Sequence, residues 1–147
     1  VKELAHAALR GVVASMAMTG MRQVTEDLGL VRETPPESLL RRGTRGVFGR
    51  VPRKRRKTAV VLLHWTVGAA GGLGFGLLPD SVRRTPWSGP AWGLVILASY
   101  QRGVAPALGL PQSEHPKLSE RLALAGDHLL YGFVLNEMRE QPQDTEA

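Results

Sequence analysis

The sequence predicts an all-α fold, a four-helix integral membrane bundle made of two helix hairpins packed through Gly/Ala stripes. Three observations carry that expectation. Thr58–Leu78 holds no formal charge apart from His64 and directly follows the basic run Arg53, Lys54, Arg55, Arg56 and Lys57. As a helix it is roughly 30 Å long, enough to cross the hydrocarbon core of a bilayer. Within it, His64, Gly68, Gly72 and Gly76 recur every fourth residue and so share one helical face, where small residues admit a second helix backbone. Finally, charge is clustered: residues 22–57 carry 11 of the 19 Lys and Arg against four acids, whereas residues 111–147 carry seven acids against three bases.

Taken in order, the single membrane domain 1–147 divides into four expected spans at about 4–21, 58–78, 88–108 and 118–138, a basic loop 22–57 and an acidic tail 139–147. The first span begins with a polar stripe of Lys2, His6 and Arg10. A cleaved signal peptide is its rival, set aside because the basic stretch behind it resists export. In the basic loop, Thr34, Pro35, Pro36 and Glu37 form a helix-start pattern, and Gly43 is placed to end that short helix. Trp87 and Trp92 flank the start of the third span, where tryptophan marks bilayer interfaces, and Pro106 ends or kinks it. The fourth span carries Asp127 and His128 near its middle. Its His128, Gly132 and Asn136 repeat the spacing of His64, Gly68 and Gly72, the pattern left by two parallel helix hairpins. The excess of Lys and Arg assigns the basic loop to the cytoplasmic side, with the acidic tail outside.

The chain resembles the YagU-like small bacterial inner-membrane proteins and their actinobacterial relatives. The resembling pieces run in order along most of the chain: residues 11–19, residues 34–37, His64 with its glycines, Ser99-Tyr100, residues 106–110, His115-Pro116 and residues 127–132. The resemblance implies a multi-pass protein of the bacterial inner (cytoplasmic) membrane with a link to acid or envelope-stress tolerance, and it brings no catalytic residues. Thr66 and Val67 depart from it where an aromatic is expected before the glycine, and Arg102 departs where a less polar residue is expected.

His64, Asp127, His128, Tyr100, Tyr131 and Arg102 form the expected intramembrane polar site, since ionisable groups at mid-span must face the bundle interior or a wet cavity. A proton or solute transport subunit is the functional alternative they suggest, with Arg102 as one possible ion-pair partner of Asp127. Two facing imidazoles also suggest axial ligation of haem b. The plainer expectation is no cofactor, with histidines bonding across helix interfaces while Gly68, Gly72, Gly76 and Gly132 set close packing. His115 lacks the partners of a metal site, and the chain has no cysteine. The run Arg53–Lys57 is assigned to topology and to anionic lipid headgroups. The chain's positive charge also raises a soluble, basic nucleic-acid-binding helical protein, which is disfavoured because no aromatics interleave the run. There is no Walker loop, G-x-S-x-G or HExxH, so no enzymatic role is expected. The bilayer, a second copy or a larger membrane complex are the expected partners.

Overall fold

The computed structural model describes residues 2–29, 52–104, 106 and 118–137, and these are helical with no strand. Helix α1 is Lys2–Asp27, α2 is Arg56–Gly76, α3 is the single turn Asp80–Arg83, α4 is Ser88–Ser99 and α5 is Leu118–Glu137. A 3-10 turn, Arg53–Arg55, leads into α2, and a π turn, Tyr100–Val104, extends α4. The expected helix at residues 34–43, His115 and the acidic tail lie outside the described residues.

Two boundaries differ from expectation in ways that shape the site. The first helix does not stop at residue 21 but continues to Asp27, because nothing in Arg22–Asp27 breaks it. Thr25 Oγ1 donates back to the Arg22 carbonyl at 2.9 Å. Gly29 ends the helix at φ 67, the left-handed conformation glycine adopts without strain. Arg22 therefore stands on the bundle and not in a loop. In the third expected span, the α-helix ends at Ser99 and the backbone widens into the π turn, and residues 107 and 108 lie outside the described residues.

Antiparallel pairing builds two hairpins. Ala7 lies against Gly72 and Gly76, Gly11 against Gly68 and Gly72, and Ser15 against Gly68. On the other hairpin, Gly89 lies against Gly132 and Asn136, and Gly93 against His128 and Gly132. Side chains at Gly11, Gly72, Gly93 or Gly132 would collide with the facing backbone, so these helices touch main chain to main chain. The two sets correspond position by position: Gly11 with Gly89, Ser15 with Gly93, His64 with His128, and Gly68 with Gly132. In the same register Arg22 matches Tyr100, and Ala14 matches Trp92.

The hairpins join mainly through α1 and α5, with α2 and α4 only loosely apposed. The matched pair Ala14 and Trp92 explains the difference. Ala14 is fully buried and lets α1 close on α5. Trp92 reaches across to α2 instead, its Nε1 donating to the Gly71 carbonyl at 3.0 Å and its ring 6.4 Å from that of Phe75. The core consists of Ala14, Met18, Phe75, Tyr131 and Leu135. Asn136 Nδ2 donates to the Pro86 carbonyl at 2.7 Å, which secures the start of α4.

The large apolar residues point largely outward. Leu62 is 53% exposed, Val67 55% and Val95 51%, and Leu63, Leu73 and Leu94 are exposed beside them. By length and composition, one helix among the described residues, α2 with a mean hydropathy of 1.4, is long and apolar enough to cross a membrane. Four such spans were expected. The others miss that standard for separate reasons: α4 has only 12 residues, α1 is long enough but less apolar, and α5 carries Glu120, Arg121 and Asp127 within any 18-residue stretch.

Candidate functional site

The buried Arg22 and Asp127, with the two histidines in reach of Arg22, gather at one level of the bundle, toward the end where α2 begins. Arg22 of α1 and Asp127 of α5 form its centre. Arg22 Nε lies 3.5 Å from Asp127 Oδ2, with the side chains 11% and 4% exposed. The pair is an ion pair without a well-formed hydrogen bond at Nε, and Asp127 Oδ1 is buried with no hydrogen-bond partner. Glu26, one turn beyond Arg22 and exposed, is the other charged group of α1 within electrostatic reach of Asp127.

Each remaining major helix contributes one group to this level. His64 of α2 is within electrostatic reach of both Arg22 and His128. The Ser15 backbone is close to its ring, yet its buried Nε2 closes no hydrogen bond. His128 Nδ1 lies 2.8 Å from the Leu124 carbonyl. A carbonyl only accepts, so Nδ1 carries the proton and the opposite nitrogen, Nε2, is left as the ring's acceptor. Tyr100, which opens the π turn after α4, is within electrostatic reach of Arg22.

The structure thus brings together four of the six expected residues, His64, Asp127, His128 and Tyr100. Tyr131 sits one turn away from Asp127 and is committed to packing: its hydroxyl donates to the Gly68 carbonyl at 2.6 Å, tying α5 to α2. Arg102 is exposed on the π turn and is not the partner of Asp127. That correction follows from helix phase: residue 102 lies two positions past Tyr100, on the side of the helix away from the stripe that Gly89 and Gly93 turn toward α5. Arg22 takes the place expected of Arg102. Its signal was present in the spacing of Gly11, Ser15, Met18 and Arg22, a run of four, three and four residues that marks one helix face. Counting Arg22 with the basic loop concealed it.

The expected packing glycines lie where the stripe implies, Gly68, Gly72 and Gly76 toward α1, and Gly132 toward α4. Of the basic run, Lys54, Arg55 and Lys57 are exposed at the entry to α2. Among the described residues no group of three or more His, Asp or Glu is arranged to hold a metal ion.

Chemically, the level combines a fixed cation, a carboxylate with one unengaged oxygen, and two imidazoles, of which His64 keeps a buried nitrogen without a partner. Such a set can take up and release protons without any bound group. Comparison with family models, curated proteins and solved structures finds no match to the chain.

Proposed function

We propose that the chain is a polytopic integral membrane protein in which the glycine-packed hairpins form a four-helix bundle within the bilayer. The observation that carries this reading is the inverted distribution of side chains. Leu62, Val67, Leu73, Leu94 and Val95 face outward, while glycines, Ser15 and the Arg22–Asp127 pair face inward. In water this arrangement leaves a broad apolar surface uncovered, whereas in lipid it is the ordinary state. The two buried charges pair with each other, as a hydrocarbon surround requires.

In this reading the basic segment ending at Lys57 lies on the cytoplasmic face of a bacterial inner membrane, against anionic headgroups. The resemblance to YagU-like proteins adds tolerance of acid or envelope stress as the physiological setting. A second reading, handling of protons or a small solute, is favoured by the polar level to which α1, α2, α5 and the π turn after α4 each contribute. Alkaline carbonate extraction tests the membrane reading. The full chain is expected to stay in the membrane pellet and to require detergent for monodispersity. Release by carbonate as a monodisperse, detergent-free protein would sink it.

A further inference from the structure

Most of the buried polar atoms of this bundle are accounted for by local contacts. Ser15, Thr19 and Thr25 donate to carbonyls of their own helix, Ser88 to the preceding turn, and Trp92 and Tyr131 to α2. Among the described residues, Arg22 Nε, His64 Nε2, Trp65 Nε1, Arg83 Nε and Asp127 Oδ1 are buried without a hydrogen-bond partner, and Asp127 is the one carboxylate among them. It is 3% exposed and engages a cation through one oxygen, while the other has no partner. A carboxylate that served only to fasten α1 to α5 would be expected to engage both oxygens, since a buried acceptor without a partner carries its full desolvation penalty. The charged groups within electrostatic reach of it are Arg22 and Glu26 from α1, and around Arg22 in turn stand His64 from α2, Tyr100 from the π turn and His128 from α5.

We propose that this level is a proton-exchange site in which Asp127 is the group that binds the proton and Arg22 is its displaceable counter-ion. The proposal deepens the second reading above, and its ligand is the proton itself. The proton is held on the unengaged Oδ1, and the now neutral carboxyl no longer holds the guanidinium. His64, whose buried Nε2 has no partner, and His128, whose Nε2 is the ring's acceptor, are the groups around Arg22 that pass the proton to and from it. The chemistry balances, since one proton enters and leaves and no other bond changes.

Infrared difference spectroscopy of the full chain in lipid, acid minus neutral, tests this. The expected result is a protonated-carboxyl stretching band that shifts when aspartate is replaced by its side-chain 13C form, and that Asp127→Asn removes. The other labelled aspartates, the exposed Asp27 and Asp80 together with Asp144, are distinguished from Asp127 by the same substitution, the assigned band being the one lost in Asp127→Asn. In Arg22→Gln the band is expected at neutral pH already, because a buried carboxylate without its cation takes a proton in place of staying charged. Asp127→Asn leaves Arg22 buried and unpaired, so Arg22→Met/Asp127→Asn is the control for folding, checked by far-ultraviolet circular dichroism. Absence of an isotope-sensitive band in the wild type, its survival in Asp127→Asn, or an unchanged pH of appearance in Arg22→Gln would each overturn the proposal. Carbonate extraction reports separately on the membrane reading, so the two can fail independently.

Discussion

At Gly132 a side chain has nowhere to go. A Cβ there would run into the backbone of Gly89 and Pro90, whereas one at Gly20 meets nothing within 4 Å. Identical residues thus have opposite costs. Gly132→Val is expected to destabilise the fold by about 1–3 kcal/mol through overpacking of a main-chain contact. Gly20→Ala is expected to stabilise α1 by roughly 0.8–1.0 kcal/mol through helix propensity. Thermal unfolding in detergent followed by circular dichroism checks both, and equal effects would refute the close-contact account. The inward glycines were legible because a four-residue period shows in the sequence. The role of Arg22 was harder to read, since charge counting places a residue in a loop and only helix phase places it on a face. Asp127 was legible as an oddity at mid-helix, but its partner lies on the first helix, and no local pattern links the two.

At the scale of elements, the two seams between hairpins are unequal. Small Ala14 lets α1 meet α5 closely, while Trp92 in the matching position props α4 away from α2 and bonds to Gly71. Trp92→Ala is expected to cost about 3–5 kcal/mol, from lost burial, the cavity left against Phe75 and the missing hydrogen bond. Trp92→Phe should recover most of that cost, and chemical denaturation of the detergent-solubilised chain measures both. If Trp92→Ala unfolds at the wild-type midpoint, the ring does not hold this seam. Helix existence and the hairpin pairing were readable from apolar runs and glycine spacing. Helix ends were less so: Arg22–Asp27 holds no helix breaker, yet its charges read as the start of a loop, and the π turn after Ser99 has no local signal that marks it.

For the whole molecule, orientation is the feature most directly measured. The chain has no cysteine, so single introduced thiols report sidedness cleanly. A membrane-impermeant maleimide is expected to label Ser81→Cys in intact spheroplasts and Thr44→Cys only after lysis. The reverse pattern would contradict the assignment of the basic loop to the cytoplasm. The Arg22–Asp127 contact also has a bearing on biosynthesis. Arg22 leaves the ribosome about a hundred residues before Asp127, which at roughly 5–20 residues per second is a delay of about 5–20 s. Throughout that interval the nascent first helix carries a guanidinium whose mate has not been made. Final docking of α1 must therefore await translation of the last helix, and a nascent chain truncated before Asp127 would leave that cation stranded.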